Sequence, residues 1–242
     1  MKLKPLHHYA RNPYHSMIFL LAANALTGIF FWKLPLFSYL IHIILTSVSA
    51  PAFDLAGNYL KSKKLLFPKS GLITGLILAN ITSPSQLHIA LLASLAAIAS
   101  KHIVKLNRRH IFNPAASGAL IAGFLGLGVS WWAANPFSFL FIYPALLARR
   151  LYMALSFFAL WLAFHFASSG ELHILNWSLA FFAFAMATDP ATIPVPKKAQ
   201  MAGGFLLAIL VTLLSMQFED TAFLAGLLAV NAFKRLFDSR LK

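Results

Sequence analysis

The sequence has no cysteine, so no disulfide, thiolate-held zinc site or iron–sulfur cluster can form within this chain. It is also short of acids, with six Asp and Glu against twenty Lys and Arg, a formal net charge of +14. Charged residues fill only 11% of its 242 positions, whereas a soluble domain carries roughly 25%. So few charges cannot cover a water-facing globular surface. There is no glycine-rich phosphate loop and no nucleophile elbow. No stretch between apolar runs is long enough for a soluble catalytic domain.

What the chain does have is apolar surface: 60% of residues are hydrophobic and the mean hydropathy is +0.74. Lipid is the solvent that accepts such a surface. The composition therefore predicts an all-α, polytopic membrane protein, a single transmembrane domain spanning 1–242. Its basic residues sit in small clusters between apolar runs, as topology signals do, rather than in a nucleic-acid-binding face. The basic N-terminal stretch is followed by no small-residue cleavage signal, so the first apolar run reads as a retained span.

Ten apolar segments are expected, at 16–32, 37–59, 71–82, 86–104, 114–132, 137–147, 151–167, 175–188, 199–214 and 221–233. A full crossing takes about 20 helical residues, so the third and sixth are too short for an untilted span, and the eighth is marginal. The charges test the count. With a cytoplasmic N-terminus and ten crossings, every Lys and Arg except Lys33 lies on the cytoplasmic side, and Glu171, Glu219 and Asp220 lie outside. Dropping one short segment places basic clusters on both faces, against the positive-inside bias. The expected protein is thus multi-pass in a cell (inner) membrane, with both termini cytoplasmic.

The third segment with its exit reads GLITGLILANITSP, and the eighth reads SLAFFAFAMATDPATIP. Both are short, rich in small residues, and close on Thr, a polar residue and Pro. Third and eighth are matching places in an inverted repeat of five plus five, with halves at about 12–135 and 136–238. Short helices at matching places mark membrane binding sites.

Asp189 is the sharpest single residue, a carboxylate at the hydrocarbon edge that either serves a site or turns the chain before Pro190. Asn113 and Pro114 suit the start of a helix. Asn113, Ser117 and Thr74 could also bond a flat polar ligand. Gly71 and Gly75 mark a close helix approach, and Asn80, in lipid, needs a partner or ligand. Asp54 stands near the inner end of the second segment. His88 and His102 lie fourteen residues apart, about 21 Å along a helix, the spacing of a two-haem helix. Each would need a facing partner such as His165, or His110 in the loop. Trp131, Trp132 and Trp177 are expected in the outer aromatic belt, and most phenylalanines at lipid.

The strings SGLITGLILANITSP, HIFNPAASG, FAMATDPATIP and TAFLAGLLAVNAFKRLFD, with TGL…P, FNPA and TDP in this order and each at a helix end, resemble the NqrB/RnfD family. These are membrane subunits of sodium-translocating NADH:quinone reductases and of Rnf ferredoxin:NAD complexes. The resemblance implies an inverted repeat of five helices and a transmembrane electron-transfer subunit of a flavin-dependent oxidoreductase complex. The subunit would be part of a redox complex rather than an enzyme alone. It implies membrane partners and a cytoplasmic flavin or iron–sulfur reductase. It marks Thr74, Gly75, Asn113, Pro114, Thr188, Asp189 and Pro190 as matching positions, and the candidate cofactor site is Thr74, Gly75, Asn80, Asn113, Ser117, Thr188 and Asp189. Family members tether one FMN to a threonine between helices 5 and 6. Here that link is a few residues, and the nearest string, SGAL at 117–120, has leucine in the threonine's place. Covalent FMN is therefore expected to be absent, leaving a noncovalent flavin, FMN or riboflavin. The competing reading is a small-solute or ion transporter built on the same bundle.

Overall fold

A computed structural model describes residues 12–63, 65, 67–84, 87–106, 109–126, 128–170, 176–218 and 221–240. Lys2, Lys4, Arg11, Lys64, Arg108, Glu171, Glu219, Asp220 and Lys242, all used in the charge argument, lie outside the described residues.

The chain is an all-α membrane protein. Its helices are α1 (Pro13–Phe31), α2 (Leu36–Ser62), α3 (Lys69–Ile81), α4 (Leu87–Ile103), α5 (Pro114–Phe124), α6 (Pro136–Leu147), α7 (Leu151–Ser169), α8 (Trp177–Met186), α9 (Lys197–Ser215) and α10 (Ala222–Arg240). A hairpin of β1 (Lys105–Leu106) and β2 (Arg109–His110) joins α4 to α5, with Lys105 opposite His110. Among the described residues, α1, α2, α7 and α9 are each long and apolar enough to cross a membrane unaided. Their outward faces carry bulky apolar side chains such as Phe19, Ile44, Leu155 and Leu213, as lipid contact requires.

Local chemistry sets the helix starts. Asn12 accepts the Tyr14 amide (3.0 Å) ahead of Pro13, and Asn135 accepts the Phe137 amide (2.8 Å) ahead of Pro136. Asn satisfies an orphan N–H, and Pro in the first turn has none to satisfy. At Asn135 the Ser138 hydroxyl also receives the Asn135 amide, completing a reciprocal cap.

Two short helices form the interior. From Leu76 to Ile81 no residue of α3 is more than 5% exposed, and from Leu179 to Met186 none of α8 exceeds 3%. Helix α3, at 1.5 Å per residue, is about 20 Å long against a hydrocarbon core of about 30 Å. Its end therefore lies inside protein, where its backbone groups still need partners. The chain after α5 supplies them. Ser83 donates to the Gly128 carbonyl (3.3 Å), Ser130 donates to that of Ile81 (2.9 Å), and Thr82 bridges Val129.

This corrects the expected fifth segment, 114–132. The helix stops at Phe124, and Gly126 and Gly128, at φ +72° and +62°, turn the chain back against α3. Only glycine adopts such angles without strain. Hydropathy could not separate this apolar return from a continuing helix. The aromatic belt is corrected too. Trp132 is buried and donates to the carbonyls of Ala79 (2.9 Å) and Thr82 (3.1 Å). Trp131 packs edge-on against Phe181, Phe182 and Phe223. Phe141, Phe157, Phe181, Phe182 and Phe184 are core, while twelve of the 23 phenylalanines, Phe19 and Phe37 among them, are exposed, in line with the expectation for most of them.

Close helix approach follows small residues. A Cβ on Gly75 would overlap the Thr46 carbonyl of α2, and one on Gly118 would overlap the Ala93 carbonyl of α4. In packing, α1 meets α3, α2 meets α3 and α4, and α4 meets α5. Likewise α6 meets α8, α7 meets α8 and α9, and α9 meets α10. The sets join where α1 meets α6 and α5 meets α10.

Candidate functional site

The starts of α1, α3 and α5 and the ends of α4, α6 and α8 surround one cleft of about 220 Å³. This is smaller than the roughly 300–1,000 Å³ of pockets that enclose drug-sized ligands. It is room for a flat ring system or a small solute. Ile73, Ile77, Pro114, Ala115, Pro144 and Ala185 give apolar walls. Ser70, Thr74, Lys101, His110, Asn113, Thr188 and Asp189 give the polar lining.

Four of the seven candidate residues thus converge: Thr74, Asn113, Thr188 and Asp189. The other three stand apart. Gly75 faces α2. Ser117 is buried in α5 and donates to the Asn113 carbonyl (3.1 Å). Asn80 belongs to a separate buried web. It donates to the carbonyls of Leu76 (2.7 Å) and Leu21 (3.3 Å) and accepts from Asn24 (3.0 Å). Asn24 also donates to the Ala133 carbonyl (2.9 Å), and Asn135 donates to the Asn24 carbonyl (3.0 Å). This web ties α1 and α3 to the start of α6.

The cleft's polar groups are already partly committed. Thr74 donates its hydroxyl proton to the Ser70 carbonyl (3.0 Å), and Thr188 to that of Phe184 (2.7 Å). With the proton spent, each hydroxyl can only accept from a ligand. Asn113 is a latch. Its Oδ1 accepts from Ala116 (3.0 Å), its backbone N–H donates to Asn231 Oδ1 (2.9 Å), and its Nδ2 reaches the Met186 carbonyl at 3.4 Å. Asn231 in turn donates to the Thr192 carbonyl (3.2 Å).

Asp189 is a turn device and a cleft residue at once. Its Oδ1 accepts the Ala191 amide (3.0 Å) and its Oδ2 the Thr192 hydroxyl (3.1 Å). The π-helical turn Phe182–Met186 just before it, where Ala187 donates to Phe182 (2.9 Å), sets where it emerges; such turns are frequent at functional sites.

His110 enters from the hairpin. Burial lowers its imidazole below the ordinary 6.5, and Lys101, Lys105 and Lys234 lower it further against the opposing pull of Asp189. A neutral ring offers one donor and one acceptor.

Sequence reasoning missed Lys101 and His110 as lining residues, because it counted one as a topology charge and placed the other in a loop. It missed Asn231, although a lone Asn in the apolar run LLAVNAF carries the same signal as Asn80. Of the histidines proposed as haem partners, His102 and His165 are engaged by other side chains, as is the further histidine His42 of α2. His42 meets Thr82 (3.1 Å), His102 meets Asp54 (2.8 Å), and His165 stacks on Trp161. Among the described residues no group of three His, Cys, Asp or Glu could hold a metal ion. Comparison with protein-family models and with curated proteins gives no match to this chain.

Proposed function

We propose that this chain is the transmembrane electron-transfer subunit of a flavin-dependent oxidoreductase complex of the NqrB/RnfD type, with a noncovalent flavin, FMN or riboflavin, in the cleft. The observation that carries this reading is the convergence of Thr74, Asn113, Thr188 and Asp189 from three separate helix ends onto one cleft. The family resemblance rests on those helix ends.

The lining suits such a group. An isoalloxazine ring has two apolar faces and a polar edge, and the cleft has apolar walls with hydroxyl acceptors, a cation and an imidazole at its rim. Its volume fits the ring system with the ribityl tail left toward the open mouth. Thr74, Thr188 and Lys101 would meet the polar edge, and Ile73, Ile77 and Pro114 the faces. Flavin supplies the redox chemistry, and the protein supplies position, polarity and exclusion of water. Residues 125–135 between α5 and α6 hold no threonine, which supports the loss of a tethered FMN.

Ten alternating elements in two inverted halves complete the reading. The packing pairs α1–α2, α1–α3, α2–α3, α2–α4 and α4–α5 recur in α6–α10 when each number is raised by five, while α3–α4 and α3–α5 have no counterpart of similar extent among the described residues. Thr82 and Thr188 follow α3 and α8, and each donates to the carbonyl four residues back at 2.7 Å. Asn-Pro-aromatic opens both α1 and α6. At the cleft, odd-numbered helices start and even-numbered helices end, as alternate crossings require. Basic residues Lys61, Lys69, Lys101, Lys105 and Arg109 mark that face as cytoplasmic, where an acidic reductase would dock.

Purification in mild detergent tests the proposal. The visible absorbance of flavin, with one flavin extracted per chain, is the expected result, and a colourless, monodisperse protein refutes it. The same five-on-five packing favours a second reading, a small-solute transporter. That reading predicts solute flux in proteoliposomes made from the colourless protein.

A further inference from the structure

We propose that Lys101 sets both the orientation and the redox balance of the cleft's ligand: its ammonium, anchored by the buried Asp54 carboxylate, stabilises the anionic reduced form of a bound flavin. This rests on the flavin reading above.

Lys101 sits in the last turn of α4, its side chain 12% exposed, and lines the cleft beside Thr74 and His110. Its Nζ forms an ion pair with Asp54 Oδ2 and donates to Ser70 Oγ (2.7 Å). An ammonium has three donors, and the third serves the cleft that the side chain lines. Asp54 has no exposed surface, and its other oxygen takes His102 Nε2 at 2.8 Å. The carboxylate is thus held from two sides, and its place on α2 fixes where the ammonium can stand.

A buried ion pair adds little to stability compared with apolar residues of the same volume. A charged pair at a cavity wall is better explained by what the cavity holds. Asp189 also lines the cleft, but both its oxygens are used by its own turn, which leaves the Lys101 ammonium as the charge turned to a ligand. A ligand with one edge that becomes negative is oriented with that edge toward Lys101. A flavin ring that takes up two electrons and one proton carries one negative charge on its pyrimidine edge. The electrons come from the cytoplasmic reductase of the proposed complex, and Lys101 gives up no proton. It is a positioning and charge-compensating residue.

The test uses the purified full chain with riboflavin added, titrated redox-potentiometrically by visible absorbance. Asp54→Asn/Lys101→Met removes both charges, so no carboxylate is left buried alone. The variant is expected to bind reduced riboflavin at least tenfold less tightly relative to oxidised than Asp54→Asn does, a fall in midpoint potential of about 30 mV or more. Lys101→Arg is expected to stay close to wild type. If the double variant does not fold, Lys101→Gln against Lys101→Arg carries the same comparison. Equal potentials within either pair, with flavin bound, overturn the role of Lys101 and leave the flavin reading standing. A wild-type chain that binds no riboflavin overturns both.

Discussion

The contact between α2 and α3 gives a prediction whose size follows from the structure. A Cβ on Gly75 would overlap the Thr46 carbonyl oxygen and lie 3.0 Å from the carbonyl carbon and 3.2 Å from Ala50 Cβ. Two of these three atoms are backbone, so relief requires α3 to move off α2 rather than a rotamer to turn. Overpacking of this kind costs about 1–3 kcal/mol, while Gly to Ala within a helix returns roughly 0.5–1 kcal/mol. Gly75→Ala should therefore lose roughly 0–2.5 kcal/mol, about 1 kcal/mol at the centre of that range, a fall in Tm of about 2–4 °C for a chain of this length. Gly203 in α9 is the control, because its nearest neighbour would be Met153 Sδ at 3.1 Å, part of a flexible side chain. Gly203→Ala should be neutral or slightly stabilising. The assay is the fraction of protein that stays monodisperse on size exclusion after heating in detergent. Equal midpoints for Gly75→Ala and Gly203→Ala refute the argument that backbone contact, rather than helix propensity, selects glycine at position 75. Thr74 would move with α3, so flavin affinity should fall along with stability.

The remaining predictions concern the cleft and the topology. His110 is held below its ordinary 6.5, so the unfolded chain binds more protons there than the folded one as pH falls below that value. Its contribution is fully present above about pH 6.5 and is lost as pH falls through the lowered folded value. His110→Gln should flatten that part of the acid branch in a Tm-against-pH series, and an unchanged slope counts against the buried neutral imidazole. Asp189→Asn keeps an acceptor for the Ala191 amide but removes the charge, so it should alter flavin affinity while leaving Tm nearly unchanged. Unaltered affinity would reduce Asp189 to a turn residue. The lack of native cysteine makes single-cysteine labelling clean. Lys33→Cys should react with an impermeant maleimide from outside, and Lys63→Cys and Lys105→Cys only after the membrane is opened. Labelling of all three from one side contradicts an odd number of crossings between Lys33 and each of the others.

Long uniform helices were legible in the sequence because lipid demands an unbroken apolar run and little else does. Helices α1, α2, α7 and α9 begin and end within a few residues of their expected segments. The fifth segment failed because burial in protein and exposure to lipid select the same residues. LGLGVSWWAA reads as membrane in either case, and only the two left-handed glycines betray the turn. Asn113 and Asp189 stood out because a polar side chain in an apolar chain is costly without partners. The same rule singled out Asn80, but its partner proved to be Asn24 rather than a ligand. Polarity in lipid shows that a group is satisfied, not by what. Lys101 was hidden for the opposite reason. At a basic helix end each lysine looks like the next, and only the fold brings one against Asp54.

The two interior helices explain why the cleft lies where it does. A helix shorter than the bilayer leaves one end, with its unpaired backbone groups and half-charge, inside the protein. At one face of the bundle the start of α3 and the end of α8 come to the same cleft. They bring the positive end of one dipole and the negative end of the other. Lys101 stands on the α3 side, held through Ser70, and Asp189 continues the α8 side. At these two helix ends backbone and side-chain charges have the same sign, although the end of α4 that carries Lys101 brings a negative dipole end of its own. A uniformly apolar solute gains nothing from such a field, and a simple ion would be drawn to one wall. A flat molecule with acceptors on one edge and donors nearby, whose charge changes at that edge, uses the whole arrangement. A transporter site built between helix ends uses the same polarity, so it is the flavin content of the purified protein, and not the field, that separates the two readings.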